Sequence, residues 1–103
     1  MNFFQKVYQI VRTIPVGKIM TYGQVAAMCG NPRASRVVGY ALHVNPQPGI
    51  IPCHRIVNRE GYLSGGFAFG GIEVQKALLE AEGVVVDAQY RVDLERFLWR
   101  AEK

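Results

Sequence analysis

The chain has 103 residues, half of them hydrophobic and only 19% charged, which suits one compact domain over residues 1–103 and excludes a disordered chain. No run of about 18 apolar residues occurs, and Gln5, Lys6, Gln9 and Arg12 interrupt the N-terminal apolar residues, so neither a membrane span nor a secretory signal is expected, and a cytoplasmic protein is. The net charge of +4 is uneven: residues 1–59 hold seven Lys and Arg and no acid, while all eight Asp and Glu fall from Glu60 onward against five bases. An acid-free cationic half suits a polyanion such as nucleic acid, although an ordinary basic surface explains the charge alone equally well.

In chain order, Phe4, Val7, Val11 and Ile14 have helical spacing, which predicts a first helix over about residues 2–13, stopped by Pro15 and Gly17. Thr21 and Gln24 form a capping box that opens a short second helix, ended by Gly30. A third helix is expected with Asn31 as N-cap and Pro32 at its first position. Ala34, Val37, Val38, Ala41 and Leu42 form its apolar face, and Arg33, Arg36, Tyr40 and His43 a basic and aromatic outer stripe. Two short helices joined by a tight turn, the second with such a stripe, suggest a helix-turn-helix, for which an ordinary helical hairpin is the bland alternative.

Asn45-Pro46 ends the third helix, and a stiff loop, PQPGIIP, leads to Cys53. The segments HRIVN and YLS are expected to pair as a small β-hairpin around residues 58–61. The glycine-rich SGGFAFGG lacks the G-K-[ST] ending of a phosphate-binding loop. A helix over about residues 72–82 and a final turn capped by Asp93, packing Leu94, Phe97 and Trp99, complete the fold. No internal repeat or linker occurs.

The stretch GIIPCHRIVN leaves three roles open for Cys53: nucleophile, metal ligand or small buried residue. The chain has no C-x-x-C or H-x-x-x-H spacing, which makes metal binding a poor reading. A nucleophilic cysteine needs a base and a partner to hold that base. His54 is adjacent in sequence, but neighbours on an extended chain point apart, so contact requires a tight turn or a bridging water. A carboxylate to orient His54 has to come from the second half, because residues 1–59 contain none. Cys29, on a short apolar helix, reads as a small buried hydrophobe without a role.

Several motifs occur together and in order: T-Y-G at Tyr22, N-P-R-A-S-R-x-V-G through Gly39, N-P at Asn45-Pro46, I-P-C-H-R-I-V around Cys53, and KALLEAEG. Over about four-fifths of its length the chain thereby resembles the DNA-binding, active-site domain of the O6-alkylguanine-DNA alkyltransferases. The resemblance implies a mainly α, winged helix-turn-helix-like fold with a small β-hairpin. It also implies single-turnover transfer of an alkyl group from O6-alkylguanine to cysteine after the nucleotide is flipped out, the route by which proteins reach atoms inside the stack.

Carried over by position, the resemblance makes Cys53 the alkyl acceptor, His54 the water-mediated base and Glu82 the acid that orients it. Asn45 would brace the turn between helix and loop. Tyr22 would act at the target nucleotide, and Arg36 would enter the duplex as a finger. Thr21, Tyr22, Arg33, Ala34, Ser35, Arg36 and Gly39 form the implied DNA-binding set, the small residues allowing close approach to a minor groove. Tyr22, Ile56, Phe67 and Phe69 are the implied pocket residues, with main-chain groups near Cys53 and Ile56 reading the base edge. No cofactor and no metal are implied. The implied partner is double-stranded DNA containing alkylated guanine, and a monomer that engages no membrane is expected.

The separate N-terminal domain of many members has no counterpart in this sequence, and the loop YLSGGFAFGG is longer than theirs and lacks their Tyr-Ser pair. One rival is an alkyltransferase-like damage binder, which flips alkylated guanine and flags it for nucleotide excision repair. Such proteins typically carry another residue, often Trp, where this chain has Cys53. A helix-turn-helix transcription regulator is a more distant rival that has no need of the I-P-C-H-R loop.

Overall fold

The computed structural model describes residues 1–47, 49–64 and 70–100. Its described elements are five helices and two short strands: α1 (Phe3–Val11), β1 (Met20–Thr21), α2 (Tyr22–Met28), α3 (Ser35–His43), a 3-10 turn (Cys53–Arg55), β2 (Ile56–Val57), α4 (Ile72–Ala81) and α5 (Leu94–Phe97). The architecture is mainly α and built on a helix-turn-helix, as the sequence indicates.

Local chemistry sets the helix boundaries. Asn2 caps α1 and Thr21 caps α2, each through a full capping box with Gln5 or Gln24 returning a bond to the cap backbone. Asp93 accepts from the Glu95 N–H at the start of α5. The third helix departs from expectation. The Asn31 side chain accepts from the Arg33 N–H at 3.2 Å and the Asn31 carbonyl accepts from Ala34 at 3.0 Å. These bonds close a separate turn, so α3 begins only at Ser35, with Ala34 at its N-cap. Val37 also leaves the predicted apolar face: it is exposed, beside Arg36 and Tyr40 on the outer stripe.

The small β element differs from the expected hairpin. β1 and β2 run parallel, with Met20 opposite Ile56 and Thr21 opposite Val57. Across the Asn58 turn the two segments share a single backbone bond, from the Asn58 N–H to the Tyr62 carbonyl at 3.0 Å. The chain then pairs with residues 90–91, Tyr62 bridging to Arg91 and the Leu63 N–H donating to the Tyr90 carbonyl at 2.9 Å. HRIVN and YLS each carry a strand-like pattern, but long-range partners outcompeted the local pairing.

The strand pair lies between two hydrophobic cores, and its two-residue alternation feeds both. Met20 and Ile56 join the first core, formed with Val7, Val11, Val25, Val38 and Leu42. Ile19 and Val57 join the second, formed with Leu79, Val84, Val92 and Phe97. The C-terminal tail fastens the same seam: the Ile19 N–H donates to the Phe97 carbonyl, the Trp99 N–H to the Ile19 carbonyl, and the Gln24 side chain to the Trp99 carbonyl. Trp99 packs on the first core and Leu94 on the second.

Candidate active site

The seam also carries Cys53. A single 3-10 turn places Cys53, His54 and Arg55 directly before β2, which supplies the tight turn that adjacent Cys and His residues require. Cys53 is buried, with its N–H donating to the Ile51 carbonyl at 2.8 Å. Asn45 follows α3 and is itself buried. Its amide donates to the Ile51 carbonyl at 2.9 Å while its side-chain oxygen accepts from the Gln47 N–H at 2.8 Å. Both ends of the loop before Cys53 are thus tied to one side chain. Burial pushes the Cys53 thiol up from its ordinary value, opposed by hydrogen bonding to Asn45. The resting sulfur is a protonated thiol that needs a base.

Glu82 provides the means of holding one. It caps the C-terminal end of α4, where Gly83 with φ +89° turns the chain away, and its carboxylate reaches His54 and Arg55 together. His54 Nε2 lies 2.9 Å from Glu82 Oε2. Arg55 Nη2 donates to the same oxygen at 2.7 Å and Arg55 Nε to Oε1 at 2.9 Å, a two-pronged grip. Arg55 Nη1 donates to the Ile14 carbonyl at 2.8 Å, which ties the cluster to the end of α1.

Burial opposes ionisation of Glu82, but the hydrogen bonds from Arg55 and His54 outweigh it and hold its pKa below the usual carboxylate value. An ionised carboxylate only accepts, so His54 Nε2 carries the proton and Nδ1 is left as the basic nitrogen. Burial lowers the His54 pKa despite Glu82, so the ring is neutral at pH 7. A neutral imidazole with a fixed tautomer can take a proton from a nearby thiol.

Tyr22 opens α2 directly after its Thr21 cap, and its hydroxyl lies 2.5 Å from Ser64 Oγ. Burial raises the Tyr22 pKa, Ser64 opposes the shift, and charge on Cys53 would add to it, which puts phenol and thiol within electrostatic reach. An open groove of about 650 Å³ begins here, lined by Tyr22, Ser35, Arg36 and Gly39 together with Arg59 and Ser64. A Cβ at Gly39 would meet the Tyr22 ring at 3.8 Å, an ordinary contact, so α3 and the tyrosine lie side by side.

The structure therefore brings Cys53, His54, Glu82 and Asn45 into one cluster and sets Tyr22 at its edge. Arg33 and Arg36 are exposed and Ser35 half-buried, whereas Ala34 is buried and Thr21 serves as a helix cap. Ile56 is buried in β2, its N–H donating to the Cys53 carbonyl and its carbonyl accepting from Gln75. Phe67 and Phe69 lie outside the described residues. Among the described residues no group of three or more His, Cys, Asp and Glu could hold a metal ion.

Three contributors were missed in the sequence. Arg55 shares Glu82 with His54, and the acid-free first half, which demanded a distant acid for the histidine, demanded one for this arginine too. Gln75 is fully buried and its amide donates to the carbonyls of His54 and Ile56 at 3.1 and 3.0 Å, bracing the turn from α4. Its position four residues before Leu79 places it on the buried face of that helix. Ser64 meets Tyr22 across 42 residues of sequence, a pairing without any local signal.

Residues 2–84 match the 6-O-methylguanine DNA methyltransferase family, DNA binding domain. The chain belongs to that family. It is 43% identical over 98 residues to the DNA base-flipping protein of Escherichia coli, covering 95% of this chain and 74% of that protein. It is 37% identical to alkyltransferase-like protein 1 of Schizosaccharomyces pombe, covering 96% of this chain and 95% of that one. Against the methylated-DNA–protein-cysteine methyltransferase of Salmonella typhimurium it is 44% identical over 84 residues, spanning about half (48%) of that longer protein. Among solved family structures, S. pombe Atl1 in complex with damaged DNA containing O6-carboxymethylguanine superposes with a TM-score of 0.85 at 36% identity, covering 96% of this chain and 95% of that one. The Mycobacterium tuberculosis OGT in complex with DNA superposes with a TM-score of 0.75 at 42% identity, covering 81% and 49%. The family of O6-alkylguanine repair proteins thus includes both named methyltransferases and shorter alkyltransferase-like and base-flipping members.

Proposed function

We propose that this protein binds duplex DNA containing O6-alkylguanine, flips the damaged nucleotide and takes its alkyl group onto Cys53, as a monomer and without a cofactor. The observation that carries the reading is Cys53 on the same turn as His54, with His54 fixed by ionised Glu82 at 2.9 Å. The Cys53 thiol gives its proton, through water, to His54 Nδ1, and the sulfur attacks the alkyl carbon. The carbon–O6 bond breaks and its electron pair stays on guanine, which takes a proton from the Tyr22 hydroxyl, and the phenolate regains one from protonated His54 through water. The raised Tyr22 pKa keeps that hydroxyl protonated, as a donor must be. A stable thioether remains, so each molecule acts once.

Arg36, exposed on the outer stripe of α3 at the groove, fills the space left by the flipped nucleotide. The near end-to-end correspondence with alkyltransferase-like protein 1 favours a second reading, in which the protein only binds and flags the lesion. The two separate on one experiment, incubation with O6-methylguanine duplex followed by intact-mass and peptide analysis. A gain of one methyl group on Cys53 supports transfer. Tight binding with no adduct would establish the damage binder instead.

A further inference from the structure

The groove beside Tyr22 has two walls, and only one of them belongs to the helix-turn-helix. The other is the turn after β2, which presents Arg59 at its tip, exposed and lining the same groove as Arg36. Among the described residues, no acid lines that groove. The two ion pairs found among the described residues both involve Glu82, and Arg59 takes part in neither.

The turn that carries Arg59 is rigid. Asn58 Oδ1 accepts from the N–H groups of Glu60 and Tyr62, both at 2.9 Å, and the Asn58 carbonyl accepts from Gly61 at 2.9 Å. Gly61 has φ +96°, and a Cβ there would lie 2.3 Å from the Val92 carbonyl oxygen, so the corner is sealed against the 90–92 segment. Arg91 Nε donates to the Glu60 carbonyl at 2.7 Å and its guanidinium stands over the Tyr62 ring. Arg59 is the one side chain of this braced corner that lines the groove as a cation, and fixing its backbone in advance lowers the entropy lost on binding.

We infer that Arg59 grips a backbone phosphate of the strand that delivers the flipped nucleotide, in the groove it shares with Arg36. A guanidinium held by a rigid turn matches phosphate geometry, and the contact positions the duplex without reading its sequence. The division of labour follows from the two elements: Arg36 is carried by the exposed stripe of α3, while Arg59 is carried by the braced turn after β2. This assignment rests on the proposed DNA-binding function.

The test is the salt dependence of binding to O6-methylguanine duplex and to the undamaged duplex, for wild type, Arg59→Gln and Arg59→Lys. Arg59→Gln should weaken both complexes by roughly tenfold and reduce the slope of log K against log salt by about 1, while Arg59→Lys keeps the slope. Both variants should unfold in urea at the wild-type midpoint, which shows that the fold is intact. An unchanged salt slope in Arg59→Gln, with wild type binding normally, would overturn the phosphate contact alone. Wild type that binds neither duplex would overturn the underlying function as well.

Discussion

At the scale of single residues, Glu82 is the organising group. One carboxylate holds His54 by one oxygen and Arg55 by both, so its loss disturbs a base and strands a cation. Glu82→Gln should slow alkyl transfer roughly 100-fold, the scale of a lost general base, measured by single-turnover kinetics on methylated duplex. Transfer at the wild-type rate would remove Glu82 from the mechanism. The same cluster predicts acid sensitivity. Both Glu82 and His54 have folded pKa values below their unfolded ones, so in each case the unfolded chain binds protons first as pH falls. Stability should be full above about pH 6.5, decline as His54 of the unfolded chain protonates, and decline again below about pH 4.3 as its Glu82 does. Urea unfolding at pH 7.5, 5.5 and 4 would measure this, and greater stability in acid would contradict it.

At the scale of elements, local rules and long-range ones divide cleanly. The capping box at Thr21 and the end of α4 near residue 82 were legible because each is settled within a few residues, whereas the Asn2–Gln5 box at the start of α1 was not read from the sequence. The start of α3 was misjudged because Asn31 prefers to close its own turn, a local competitor to helix capping that the N-P pair disguises. The β pairing was misjudged for a different reason. Nothing within HRIVN specifies a partner 36 residues upstream, and only the need to cover both cores selects Met20–Thr21. Cys53, His54, Glu82 and Asn45 were legible through the resemblance, whereas Arg55, Gln75 and Ser64 became visible only once folding had brought their partners together. Gln24 joins both kinds of information, capping α2 and holding the Trp99 carbonyl at 2.8 Å. Gln24→Ala should therefore cost about 1–2 kcal/mol in urea unfolding, more than an isolated cap side chain on the surface. Arg36→Ala should slow transfer on duplex DNA roughly tenfold while leaving free O6-benzylguanine reactive. Equal loss on both substrates would count against the finger role.

At the scale of the whole molecule, the active turn sits where two small cores meet, fastened by β1, β2 and the C-terminal tail. This placement sets the active turn beside the helix-turn-helix, with α4 bracing it through Gln75 and Glu82 while the Asn58 turn lines the groove. Because the strand pair belongs to both cores, the protein should unfold in a single transition with the same midpoint by fluorescence and circular dichroism. Two separated transitions would mean that the seam does not couple the halves. The acid-free first 59 residues carry the helix-turn-helix and all of the described groove lining except Ser64, and no acid is among the described lining residues. On the proposed function, the seam makes Cys53 an acceptor rather than a landmark. Intact-mass spectrometry after incubation with O6-methylguanine duplex tests it most directly: a single irreversible methyl addition mapped to Cys53, at one per molecule, is predicted, and stable complex formation with an unmodified Cys53 would contradict it.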